Sequence, residues 1–147
     1  MSSPTKKGFD RILVAVDGSE VSMRAAEHGA RIARQDGAEF LALHVVPVPP
    51  FEVQGELADH YDNARRNAKK WMKDVEEIAA RHGIGAKTEV VVGAYSVVDA
   101  IIGYAETVGV DLIVSGTRGK TPSRRMLVGS VARGLIEYSS CAVFVVR

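Results

Sequence analysis

Ser115-Gly-Thr-Arg-Gly-Lys-Thr-Pro-Ser-Arg-Arg-Met-Leu-Val-Gly-Ser130 decides how this chain is read. It follows the apolar run Asp111-Leu-Ile-Val and leads into a helix-like segment. Glycines at 116, 119 and 129, with Ser130 directly after, outline a strand, a loop and a helix start. Glycine lets the backbone approach an anion closely and visit positive φ. Exposed N–H groups in the loop and at the helix N-terminus then point at negative charge. The pattern suits polyphosphate binding, and packing alone is a poor explanation for three loop glycines at fixed offsets.

Outward from this loop, short apolar strands alternate with helical segments. Arg11-Ile-Leu-Val-Ala-Val16 reads as a buried strand. Asp17-Gly-Ser19 is turn chemistry, with Ser19 a good N-cap for a helix over 21–36 that Gly37 closes. Phe40-Leu-Ala-Leu-His-Val-Val46 is the second strand, followed by a proline-rich loop over 47–55. A long helix over 56–82 carries an apolar stripe of Leu57, Tyr61, Ala64, Ala68, Trp71, Val75 and Ile78. A third strand spans 88–92, and a helix capped by Ser96 runs through Thr107. Strands over 111–115 and 142–146 enclose a last helix over 129–138.

Strands apolar on both faces fit a parallel sheet covered by helices on both sides. Right-handed crossovers then give a doubly wound, Rossmann-like α/β fold. Ligands of such sheets bind beyond the C-terminal strand ends, where the winding reverses. Asp17, Val45 and the Gly116 loop all fall at such ends.

Composition excludes other classes. A length of 147 residues suits one domain over 9–147, behind a polar, disordered tail over 1–8. Nineteen Lys+Arg against eighteen Asp+Glu give a net charge of +1, without the basic bias of a nucleic-acid binder. One cysteine, Cys141, permits neither an intrachain disulfide nor a cysteine-based zinc site. No segment approaches the roughly 18 continuous apolar residues of a membrane span, and the N-terminus lacks a signal-peptide core. A cytoplasmic protein is expected.

The loop is not a Walker A motif. Gly119-Lys-Thr121 supplies its ending, but the required earlier glycine falls at Val114. Nor does a G-x-G-x-x-G follow the first strand. The spacing is instead glycine, two residues, glycine, nine residues, glycine, serine. With Ala15-Val-Asp17 after the first strand, His44-Val45 ending the second and a closing apolar strand, residues 9–147 resemble the universal stress protein family, and within it the ATP-binding branch.

That resemblance implies a five-stranded parallel sheet in the order 3-2-1-4-5 and a homodimer. It implies that Ala15 and Val45 line an adenine pocket whose backbone groups read the base, and that Val16 is a nucleotide-binding residue beside them. Asp17 lies near the ribose and a magnesium or manganese ion carried with the nucleotide. Gly116, Gly119, Gly129 and Ser130 hold the phosphates, with Ser115, Arg118 and Val131 adjoining. The implied function is a nucleotide-dependent stress-response module with at most slow ATP hydrolysis, because no second motif fixes a water-positioning base. Arg118, Lys120, Arg124 and Arg125 make the loop more basic than phosphate binding requires.

Each residue also has a plainer reading. Asp17 is a turn residue, Gly129-Ser130 a helix start, the loop cations solvated, His44 and Trp71 packing residues, and Cys141 a small buried hydrophobe. Two other functions stay open: a nucleotide-free dimeric interaction protein, and an enzyme acting on another adenine-containing compound. The apolar last strand, at a sheet edge in the order 3-2-1-4-5, favours pairing with a second chain.

Overall fold

Runs such as Ile12-Leu-Val14, fully buried, are apolar at consecutive positions and so need cover on both faces of a strand. The computed structural model describes residues 8–49, 56–117 and 128–147. In chain order the elements are β1 (Arg11–Ala15), α1 (Glu20–Asp36), β2 (Glu39–Pro47), α2 (Leu57–Arg81) and β3 (Lys87–Ala94). They continue as α3 (Val97–Val108), β4 (Leu112–Gly116), α4 (Ser130–Tyr138) and β5 (Ala142–Val146). The strands form one parallel sheet in the order β3-β2-β1-β4-β5, as the family resemblance implied.

Alternation along the strands divides the core into two layers. Ile12, Val14, Ala42 and Val114 pack with α1 and α2. Leu13, Leu43, Val45 and Ile113 pack with Ile101 and Ala105 of α3 and Leu135 of α4. On the first face Glu27 of α1 accepts hydrogen bonds from Arg81 (2.9 Å) and from His82 Nε2 (3.0 Å), tying the end of α2 to α1. The His82 bond is the main reason the Glu27 carboxyl is held below its ordinary range.

The expected caps are present. Ser19 Oγ accepts the Ser22 N–H at 3.1 Å, and Gly37 closes α1 at φ +67°. Ser96 Oγ accepts the Asp99 N–H at 3.1 Å to start α3. The stripe on α2 is shorter than its sequence suggests. Its buried residues are Ala68, Met72, Val75, Ile78 and Ala79, while Leu57 is 49% exposed. Length explains this. Twenty-five helical residues span roughly 37 Å, whereas the nine residues of β2 reach roughly 30 Å. The first turns of α2 therefore outrun the sheet.

Candidate functional site

The central strand β1 is the shortest route into the site because it stops before its neighbours. Its last rung toward β2 is the Val16 N–H donating to Leu43 C=O at 2.9 Å. In a parallel strand the N–H and C=O of one residue face the same neighbour, and alternate residues face opposite neighbours. Leu43 faces β1, so Val45 faces that side too. The other parity agrees, since Val48 N–H donates to Ala94 C=O of β3 at 2.8 Å. At the level of Val45, however, the chain from β1 has already turned away at Asp17. Among the described residues no hydrogen bond outside the ladders takes the Val45 backbone groups. Val45 itself is only 6% exposed, and buried peptide groups ordinarily find partners.

The turn after β1 is held by its own side chains. Asp17 Oδ1 accepts the Ser19 N–H (2.9 Å) and the Ser19 hydroxyl (2.5 Å). Ser22 Oγ donates to Ser19 C=O (2.9 Å) and accepts the Asp17 N–H (3.4 Å). Asp17 is thus a turn residue through one carboxylate oxygen. Two aromatic side chains back this turn. His44 Nδ1 lies 2.6 Å from Val16 C=O, and the indole of Trp71 meets the His44 ring edge-on at 5.0 Å and 84°.

On the other side of β1, Ser115 is buried, and its hydroxyl donates to Gly116 C=O at 3.0 Å. Gly116 has a packing reason of its own: a Cβ there would stand 2.5 Å from Val21 Cγ1 of α1. Thr117 N–H donates to Val146 C=O (2.7 Å), and Gly129 N–H to Thr117 C=O (2.5 Å). These bonds stitch the ends of β4 and β5 to the start of α4. The N-cap of α4 is Gly129, and Ser130 is its first helical residue. Among the described residues no side-chain hydrogen bond caps α4, whereas serines cap α1 and α3. The first N–H groups of α4, as at any helix start, have no acceptor within the helix. Val131, in the first turn of α4, packs against the α3–α4 core layer.

Ala15, Val16, Asp17, Val45, Ser115, Gly116, Gly129 and Ser130 all lie at or just beyond the C-terminal ends of β1, β2 and β4. Arg118 and Gly119, with Lys120, Arg124 and Arg125, lie outside the described residues. Cys141 is half-buried, and its N–H donates to Ser139 Oγ at 3.2 Å, at the opposite end of β5. Among the described residues no three His, Cys, Asp or Glu side chains cluster as a metal cage. No described helix is long and apolar enough to cross a membrane.

The order β3-β2-β1-β4-β5 reverses its winding between β1 and β4, the switch point of a doubly wound α/β fold. The model of the universal stress protein family matches residues 8–147, and the chain belongs to that family. A universal stress protein of Methanocaldococcus jannaschii is 35% identical over 142 residues, covering 95% of this chain and 82% of that protein. The solved structure of a universal stress protein from Lactobacillus plantarum superposes with a TM-score of 0.85 at 28% identity, covering 95% of this chain and 99% of that one. A universal stress protein from Archaeoglobus fulgidus, solved in complex with dAMP, has the same fold. Its TM-score is 0.68 at 24% identity, with 94% and 98% of the two chains covered.

Proposed function

We propose that this chain binds an adenine nucleotide, ATP foremost, at the C-terminal edge of its sheet. It acts as a nucleotide-dependent stress-response module with at most slow hydrolysis. The observation that carries the reading is the Val45 backbone edge. One N–H and one C=O, facing the gap left by β1, match the N1 acceptor and amino donor of adenine. Guanine presents the reverse order, with O6 accepting and N1–H donating. Ala15 and Val16, at the end of β1, adjoin this edge from opposite faces of the sheet. Asp17 has a second carboxylate oxygen for a ribose hydroxyl or for magnesium or manganese on the phosphates, a hard-oxygen role. Gly116, Gly129, Ser130 and the first N–H groups of α4 receive the phosphates, with Ser115 and Val131 adjoining; Gly119 and Arg118, which the family resemblance adds to this set, lie outside the described residues. The dAMP complex of the Archaeoglobus fulgidus relative supports an adenine ligand for this fold.

The functional unit in this reading is a cytoplasmic homodimer paired through β5. Phe144 on that edge strand is 36% exposed. Calorimetric titration with ATP, AMP and GTP, with and without magnesium, tests the proposal. Saturable binding of adenine nucleotides with GTP weaker supports it. No binding leaves a nucleotide-free interaction protein, and AMP binding much tighter than ATP favours an enzyme of adenylate chemistry.

A further inference from the structure

We infer that His44 is a positioning residue that sets base specificity: by holding the Val16 carbonyl, it keeps the Val45 N–H available to the ligand. This rests on the reading that the Val45 edge recognises adenine.

The ladder shows what His44 prevents. Val16 N–H donates to Leu43 C=O, so the next rung of a continuing parallel pair would join Val45 N–H to Val16 C=O. Among the described residues that rung is not made. Val16 C=O is met at 2.6 Å by His44 Nδ1 instead. A carbonyl only accepts, so Nδ1 carries the proton and donates. The ring is held in this pose by Trp71, edge-on at 5.0 Å. The indole comes from α2 and also closes against Gly18 in the Asp17 turn.

The consequence is a division of labour between adjacent residues. His44, facing β3 with its backbone, sends its side chain to finish the last acceptor of the β1 turn. Val45, facing β1 with its backbone, has its rung taken by that side chain. Without the Nδ1–H donor, Val16 C=O becomes a buried acceptor in want of a proton, and the ladder register makes Val45 N–H its next donor. Closing that rung would satisfy both groups and remove the donor that distinguishes adenine from guanine. Specificity built on a buried hydrogen-bonding group is large because the wrong ligand leaves that group unpaired.

The test is ATP and GTP affinity in His44→Asn and His44→Leu, alongside the parent protein. The Asn Nδ2–H reproduces the donor at the Nδ1 position, so His44→Asn should keep the parent preference for ATP. His44→Leu should lose about tenfold or more in ATP affinity with GTP affinity unchanged, removing the preference. A merely structural role would weaken both nucleotides together and would not be rescued by Asn. His44→Leu with parent selectivity overturns the inference.

The parent protein provides a readout that does not depend on a variant folding. Without nucleotide, the Val45 amide should exchange with solvent much faster than the Leu43 amide, and ATP should slow it. Equal protection of the two amides without ligand would overturn the inference even if ATP binds. Absence of any ATP preference in the parent protein would instead remove the reading beneath it.

Discussion

The indole of Trp71 fills the space in which a side chain at Gly18 would have to stand; a Cβ built there collides with Cε2 of the ring. Gly18 also has φ +83°, a conformation that disfavours other residues. One helix, α2, is thereby seated directly on the turn that carries Asp17. The turn is rigid for two separable reasons, backbone conformation and the indole above it. Gly18→Ala is expected to cost about 2–5 kcal/mol of stability, summing left-handed strain and overpacking. Trp71→Ala should relieve only the steric share. A urea-denaturation double-mutant cycle checks this, and strict additivity of the two changes would disprove the contact.

Gly129 has φ −73° and ψ 170°, a conformation open to any residue. Gly129→Val should therefore leave the circular dichroism spectrum native. Its side chain should intrude where the phosphates meet the start of α4, and ATP binding should be abolished. Unchanged ATP affinity in the folded variant would remove the phosphates from this site.

Asp17 carries a turn role on one oxygen and a proposed ligand role on the other. Asp17→Ala should lose both: about 1 kcal/mol of stability, the usual cost of a cap or turn side chain, and about 1.5–3 kcal/mol of ATP affinity if a charged hydrogen bond goes. Asp17→Asn should keep the turn, because an amide oxygen still accepts the Ser19 N–H, and lose most of the affinity. If Asp17→Ala binds ATP as the parent does, with and without magnesium, the residue serves the turn alone.

Thr117 N–H donates to Val146 C=O, so the even-numbered residues of β5 face β4 and the N–H groups of Val143 and Val145 face the open edge. Proline at 145 removes an outward donor and no rung of the sheet. Light scattering at micromolar concentration should give a dimeric mass for the parent and a shift toward monomer for Val145→Pro. A fully dimeric variant would place the interface elsewhere, and a monomeric parent would refute the dimer.

What the sequence made legible was local or periodic. Buried runs such as Ile12-Leu-Val14, caps such as Ser19 and Ser96, and the glycine at 37 each declare themselves within a few residues. The ends of the stripe on α2 were not legible, because Leu57 keeps its helical spacing whether or not a sheet lies beneath it. Gly116 looked like a loop glycine chosen for an anion, and its contact with Val21 shows that α1 also needs it small. His44 and Trp71 read separately as packing residues. They are 27 positions apart, and nothing in either neighbourhood reveals that they meet behind the Asp17 turn. The helix start at Ser130 was legible, but its cap is Gly129, so the cap residue itself has no side chain to bond the N–H groups there.

The Val45 amide is where the central claim is most exposed to test. In a nitrogen-edited NMR titration with ATP, the Val45 amide proton should move downfield and saturate together with Gly116, Gly129 and Ser130, while an equal titration with GTP should leave Val45 nearly in place. An ATP titration that saturates with the Val45 amide unmoved, or one in which GTP shifts it equally, would contradict adenine recognition at the end of β2.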